Sequence, residues 1–289
     1  MYQVSVLIPA FNAEDTIERA VRSVEDQTWT GEVEIVVCDD GSTDRTQDIL
    51  KGLQRHNQHI TVVANDGNRG RPATRNHLLR AAKGDLITWL DADDAKYPDM
   101  IRLQVDKFFK TRRARGHERF IVYTNYDWDF PGRREVKLIA PTSTRDPVKA
   151  LLDGSFGAYL WTTLCKRAAL AHGLPFDENL PRLQDLDVFL RCAGAGIEFH
   201  KVDSDDALCK YNKEDRGRNS AEVERCFAII RQKHRYLIDL YDEKYEAELK
   251  HKHLGVAARF ARSNGDFMRA HGYAFRRSVA RRISNWLPR

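Results

Sequence analysis

The sequence predicts an α/β protein whose first part, roughly residues 1–110, is a mostly parallel, doubly wound sheet. Three observations carry that expectation. Strand and helix signals alternate in the order βαβαβαβ, the order produced when helices cross over between parallel strands. The first strand candidate is a continuous apolar run rather than an alternating one, as expected where helices cover both faces, and the others are similarly rich in Val, Ile and Leu. Polar clusters of Asp, Asn and Ser follow the runs directly, where turns and caps belong.

"VSVLIPAF" opens the sheet. Asn12 is placed to cap the following helix, with Glu14 and Asp15 in its first turn. Ile17, Val21 and Val24 recur along one face of that helix. "EVEIVVCDD" is the second strand and "GSTDRTQDILKGL" a capped helix behind it; "ITVVAN" is the third, followed by the turn "DGNRG" and the helix "RPATRNHLLRAAKG". "DLITWL" is the fourth. The next part is less regular. "RFIVYTN", "REVKLIA" and "WTTLCKR" read as strands of a mixed region, "RLQDLDVFLRCAGAG" as a helix ending at glycines, and "EFHKVD" and "ALCKYN" as edge strands. From Ser220 onward the chain reads as helical, with Val223, Phe227, Ile230 and Leu237 near a 3.6-residue period.

Composition narrows the function classes. The 289 residues are 42% hydrophobic and 31% charged, a balance that supports a sizeable core and excludes fibrous or membrane-embedded classes. No apolar run approaches the roughly 18 residues needed to cross a bilayer. "MYQVSVLIPAF" lacks the basic region and cleavage site of a secretory signal. Five widely spaced cysteines without a C-x-x-C predict reduced thiols, a cytoplasmic setting and no zinc site. Charge is uneven: residues 250–289 hold ten Lys or Arg against Asp266 alone, so the net +5 of the chain is +9 in the tail and −4 elsewhere. That tail mixes Arg with Phe, Tyr, Ile and Trp. Such a stretch suits either a helix packed on the body or one lying on an anionic membrane. No nucleic-acid motif accompanies it, so nucleic acid is not an expected partner.

Three strand ends carry polar clusters: "PAFN", "CDDGSTD" and "LDADD". In open α/β sheets ligands sit beyond the carboxyl ends of the strands. Asp44 or Asp94 alone is accounted for equally well as a turn former. All three clusters together are not, because acids converging on one edge destabilise each other unless a cation or donor groups compensate. Asp91 and Asp93, one residue apart, are suited to sharing Mg²⁺ or Mn²⁺ with phosphate oxygens.

These stretches resemble the inverting family-2 glycosyltransferases of the GT-A fold, a Rossmann-like architecture. "VSVLIPAFNAEDTIERAVRSVEDQT", "EIVVCDDGSTDRT", "NRGRPATRN", "AAKGDLITWLDADD" and "GLPFDENLPRLQDLDVFLR" carry the resemblance, across about residues 3–191. It implies a nucleotide-sugar-binding half at 1–110, an acceptor-binding half at 111–215 and a helical basic extension at 216–289. Pro9, Ala10, Phe11 and Asn12 match the loop that holds the nucleotide base. Asp39 matches the acid that accepts from the uracil N–H. Asn68 and Arg75 match positions near the base and diphosphate, although a solvated helix Arg is the plain alternative for Arg75. Asp91 and Ala92 match the ribose and sugar contact, and Asp93 the principal ligand of Mn²⁺ or Mg²⁺, with Asp91 assisting. Asp185 matches the catalytic base, which usually follows a Glu; here Gln184 stands in that place. In the same frame Asp187 is structural or acceptor-facing, and Arg191 a buried ion-pair partner.

A His common in the loop after the next strands is missing from "KYNKEDRGRNS", where Arg216 and Arg218 are placed to bind diphosphate or to sit in a solvated cap. His200 reads as an ordinary strand residue. Tyr123, Tyr126, Trp128, Tyr159 and Trp161 fall where an acceptor sugar would stack, Trp161 and Trp128 first among them. The expected activity is metal-dependent transfer, with inversion, from a nucleotide-diphosphate sugar, a UDP-sugar being the expected donor, to a saccharide or lipid-linked saccharide in surface-polysaccharide assembly. For the tail, peripheral contact with the inner membrane face is the alternative to a helix packed on the body, which is the expectation. The competing classes are a sugar-phosphate nucleotidyltransferase, which wants a glycine-rich first loop that "PAFNAEDT" lacks, and a non-catalytic nucleotide-sugar-binding protein.

Overall fold

The structure, a computed structural model, describes residues 2–129, 137–139, 145–212 and 219–287. The sequence alternation becomes β1 (Val4–Ala10), α1 (Ile17–Glu25), β2 (Val33–Asp39), α2 (Thr46–His56), β3 (Ile60–Ala64), α3 (Arg71–Ala81) and β4 (Leu86–Trp89). β1 pairs in parallel with β2 and β4, and β2 with β3, giving the order β3-β2-β1-β4. Crossovers run one way from β1 to β3 and α3 returns past β1. Right-handed connections therefore place α1 and α2 on one face and α3 on the other. α1 packs on α2, and α3 on β1 and β2. Both faces being covered, β1 is buried along its whole length. The switch in direction lies between β1 and β4, and it opens a crevice at their carboxyl ends.

The second half extends this sheet and adds another. β5 (Ala95–Lys96) and α4 (Met100–Arg115) lead to β6 (Phe120–Tyr123) and β7 (Asn125–Asp129). β8 (Lys137–Ile139), α5 (Pro147–Leu152), β9 (Thr163–Lys166), α6 (Arg167–Leu170), α7 (Gln184–Gly194), β10 (Glu198–Lys201) and β11 (Ala207–Asn212) follow. The main sheet runs β10-β6-β9-β4-β1-β2-β3, with β9 antiparallel between β4 and β6. The smaller sheet runs β5-β11-β7-β8. "RFIVYTN" thus splits at Thr124 between the two sheets, and only residues 137–139 of "REVKLIA" lie within the described residues. β10 is an edge strand as expected. "ALCKYN" is not: β11 is paired on both sides.

The C-terminal part is helical: α8 (Ser220–Lys233), α9 (Arg235–Ile238), α10 (Glu243–Ser263) and α11 (Phe267–Trp286). Asn219 caps α8 by accepting from the N–H groups of Ala221 and Glu222 at 3.0 and 3.3 Å. Among the described residues no helix is long and apolar enough to cross a membrane. All five cysteines are buried and free.

Asp187 ties α7 to this part. It is buried, accepting from Arg191 Nη2 at 2.6 Å and Lys233 Nζ at 3.0 Å, with His234 Nε2 at 2.8 Å. Burial raises its pKa, but His234, Arg191 and Lys233 outweigh it and hold the carboxyl below its usual range. The structural role for Asp187 and its pairing with Arg191 are both seen. A depressed pKa stabilises the fold above the ordinary carboxylate value near 4, and that stabilisation is lost as pH falls toward the lowered folded value. Asp187→Ala is therefore expected to cost about 2–3 kcal/mol in urea unfolding at pH 7, because it leaves half-buried Arg191 and Lys233 and buried His234 without their shared acceptor. The gap from wild type narrows below pH ~4; a gap constant across that range would contradict the account.

Candidate active site

The site begins with the loop after β1. Ala10 sits beside Asp39 in the parallel register, Phe11 is exposed, and Asn12 adopts a left-handed backbone with φ 47°. Asn12 does not cap α1, whose N-cap is Thr16. Its Oδ1 instead accepts from the Thr43 N–H at 2.8 Å, while its own N–H donates to Ser42 Oγ at 2.9 Å. The first loop is thereby clamped to the second. Asp44, one of the two acids with a plain turn reading, accepts from Thr46 and Glu14 N–H groups at 3.0 and 3.1 Å.

The two acids ending β2 face different tasks. Asp40 is used internally, accepting from Asn65 Nδ2 at 2.7 Å and the N–H groups of Arg69 and Gly70 at 2.8 and 2.9 Å. Asp39 is buried and oriented by Gln47 Nε2 at 2.7 Å and by Ser42. Gly41, at φ 73°, lets the loop after β3 close on it. A Cβ there would lie 2.6 Å from the Gly67 carbonyl carbon and 2.8 Å from the Asn68 nitrogen. Ala10–Asn12, Asp39 and exposed Asn68 thus line one rim.

After β4 come the three clustered acids. Asp91 is partly buried, Ala92 buried and Asp93 exposed. The loop is pinned through its backbone: the Asp93 carbonyl accepts from Arg19 Nη2 at 2.7 Å and from the Asn212 side chain. Packed protein around it and the Asp91 charge push the Asp93 carboxyl upward. Asp94 is fully buried. Its Oδ1 accepts from the Asn212 N–H at 2.9 Å, and its Oδ2 has no partner among the described residues. Burial, then Asp93 and Asp91, drive its pKa well up. Asp91 and Asp93 are hard-oxygen donors one residue apart on the same loop, so they fit Mg²⁺ or Mn²⁺. Among the described residues no group of three or more His, Cys, Asp or Glu is arranged to hold a metal ion, so Asp91 and Asp93 would supply only part of an ion's coordination.

Arg75 joins this rim to the other side of the crevice. It is buried in α3, between the rings of Trp89 and Phe176 at 6.0 and 5.7 Å. Nη2 donates to Asp91 Oδ1 at 3.2 Å, and Nη1 donates to Asp185 Oδ1 at 3.0 Å and Gln184 Oε1 at 2.7 Å. Burial works against its charge, but Asp185 and Asp91 more than offset it. The solvated alternative for Arg75 is overturned. Gln184 and Asp185 open α7 after Leu183, itself left-handed at φ 61°. Asp185 Oδ2 accepts from the Leu160 N–H at 3.1 Å. Sequence reasoning missed both the bridge and the Leu160 donor. The available signal was α3 itself, whose polar run Thr74–Asn76 is buried, although nothing in its pattern marks an outer face.

The aromatics form a wall in which Trp161 is covered. Tyr159 and Tyr211 stack on it at 5.5 and 5.2 Å, and Tyr126 meets it edge-on. Trp161 and Tyr123 are core residues, while Tyr159 reaches solvent. His200 lies on β10 against Glu198 at 2.7 Å. Arg216 and Arg218 lie outside the described residues.

Comparisons with known proteins bear on the family and the fold. The model of glycosyl transferase family 2 matches residues 5–168. The chain is 31% identical over 180 residues to the putative glycosyltransferase EpsH of Bacillus subtilis, covering 60% of this chain and 50% of that one. It is 36% identical over 126 residues to WfaP of Escherichia coli, a UDP-Glc:α-D-GlcNAc-diphosphoundecaprenol β-1,3-glucosyltransferase, covering 44% and 47%. The chain spans about half the length of these curated relatives. The crystal structure of S. aureus TarS 1–349 in complex with UDP-GlcNAc superposes with TM-score 0.58 at 17% identity, covering 98% and 90%; that likeness speaks to the GT-A fold. A match over more than half its residues, on the sheet and loops just described, makes this chain a member of glycosyl transferase family 2.

Proposed function

We propose that the protein transfers a sugar, with inversion, from a UDP-sugar to a hydroxyl of a saccharide or lipid-linked saccharide during polysaccharide assembly in the cytoplasm. The observation that carries this reading is Arg75 holding Asp91 and Asp185 across one crevice at 3.2 and 3.0 Å. It sets a donor-side acid and an acceptor-side acid on the same guanidinium. Residues 1–110 then form the nucleotide-sugar half, 111–215 the acceptor half and 216–289 the extension, whose membrane contact is argued below.

In this mechanism the loop of Pro9, Ala10, Phe11 and Asn12 cradles the base, with Asp39 accepting from the uracil N–H and Asn68 closing over it. Asp91 and Ala92 contact ribose or sugar. Arg75 orients Asp185, which takes the proton from the acceptor hydroxyl as that oxygen attacks the anomeric carbon opposite the departing diphosphate. An α-linked donor yields a β-linked product. Asp93, with Asp91, would hold Mn²⁺ or Mg²⁺, which when bound neutralises charge on the leaving diphosphate. Exposed Tyr159 offers the flat face for an acceptor sugar.

The activity test is UDP release with anomeric analysis of the product by NMR. Free UDP with a β-linked product supports the reading, whereas pyrophosphate release supports a nucleotidyltransferase instead. Calorimetry probes the metal site: Asp93→Ala is expected to erase the gain in UDP affinity that Mn²⁺ gives the wild type, and an undiminished Mn²⁺ effect would remove Asp93 from that role.

A further inference from the structure

We propose that the outward face of α11 seats this protein on an anionic bilayer surface, an inference that stands on the extension and not on the chemistry of the crevice. α11 packs on α10 through Ala270, Tyr273, Ala280 and Ser284, and Arg277 lies over Gly255 with Nε donating to His251 at 3.1 Å. At 3.6 residues per turn these residues share one face. On the opposite face stand Met268, Phe275, Val279, Ile283 and Trp286, exposed by 89, 72, 41, 50 and 90%. Their offsets of 7, 4, 4 and 3 residues keep them in a single stripe along the helix, which is about 30 Å long. The stripe is unbroken from Phe275 to Trp286, about 17 Å, with Met268 set apart from it beyond Gly272, and an exposed apolar stripe on an outward face marks a docking surface.

Charge selects the occupant. α11 carries Arg269, Arg276, Arg277, Arg281 and Arg282 and no acid. Arg282 flanks the stripe on one side, with Arg269 and Arg276 on the other. Arg276 reaches Glu224 at 2.7 Å and Arg269 reaches Asp266 at 3.4 Å, whereas Arg281 and Arg282 form no ion pair among the described residues. A second copy of this face would set arginine against arginine. An anionic lipid surface accepts both features at once, apolar side chains among the acyl chains and guanidinium groups on the phosphates.

Flotation of the full chain with vesicles tests this. Wild type is expected to float with phosphatidylcholine–phosphatidylglycerol vesicles and not with phosphatidylcholine alone, and to detach at high salt. The double variant Phe275→Glu/Val279→Glu is expected to lower the bound fraction roughly tenfold or more, and Arg276→Gln/Arg282→Gln, which removes a cation from each side of the stripe, roughly tenfold. Both should keep wild-type circular dichroism and UDP binding, so that loss of docking is separated from loss of fold and from failure of the proposed transfer reaction. The proposal is overturned if wild type ignores anionic vesicles, if neither variant changes flotation, or if sedimentation reveals a dimer that the Glu variant dissolves while vesicles capture nothing.

Discussion

Asp185→Asn is expected to lower the transfer rate by about two to four orders of magnitude, the range for loss of a positioned general base, while UDP binding stays within a few-fold of wild type. The side chain keeps its size but loses its capacity to take a proton. It also loses one of two acceptor oxygens. The carboxylate now serves Arg75 with Oδ1 and the Leu160 N–H with Oδ2, and an amide can serve only one of them. A stability loss of about 1–3 kcal/mol accompanies the kinetic one, so turnover is to be compared below the variant's own unfolding temperature. The proposed uridine contacts, Asp39 and the Pro9–Asn12 loop, lie on the opposite rim, away from the substitution. Wild-type turnover in this variant would remove Asp185 from the mechanism.

Arg75→Met should damage fold and activity together. Methionine fits the apolar box of Trp89 and Phe176, so volume is nearly conserved and the effect is electrostatic. Asp91 and Asp185 lose their shared cation, and Gln184 loses its donor. Breaking one partner of a buried ion pair costs about 3–5 kcal/mol, which denaturant unfolding reads directly, and transfer falls with the orientation of Asp185. Arg75→Lys should rescue little, because an ammonium cannot reach two carboxylates and an amide with a fixed fork. The combination with Asp185→Asn should be less costly than the sum of the two, since both remove the same contact. A lysine variant with wild-type stability and turnover would contradict the bridging role.

The parallel sheet was legible because burial on both faces writes itself into composition: β1, β2 and β4 are apolar on both faces, interrupted inside only by Ser5, Glu34 and Thr88. The acids beyond them were legible as a rim for the same reason, since topology fixes where strand ends meet. What was not legible depended on contacts distant in sequence. Asn12 reads as a helix cap, but a bond to Thr43, 31 residues away, takes its side chain. Arg75 reads as a solvated or phosphate-facing cation on a polar helix, yet its partners lie 16 and 110 residues on. β11 reads as an edge because six residues cannot announce neighbours on both sides. Trp161 was favoured over Tyr159 for sugar stacking because ring size is visible in sequence and a covering Tyr211 is not. The substitution at Gln184 was visible, but its use as an acceptor for Arg75 Nη1 was not.

The central claim is that the acids along one rim coexist because a cation and a nucleotide lie among them. A crystal soaked with UDP and Mn²⁺ addresses it most directly. The account predicts an anomalous manganese peak on the Asp93 carboxylate, with the uracil against Asp39 and the loop of Pro9–Asn12. Clear density for UDP elsewhere on the protein, or manganese bound away from Asp91 and Asp93, would contradict it.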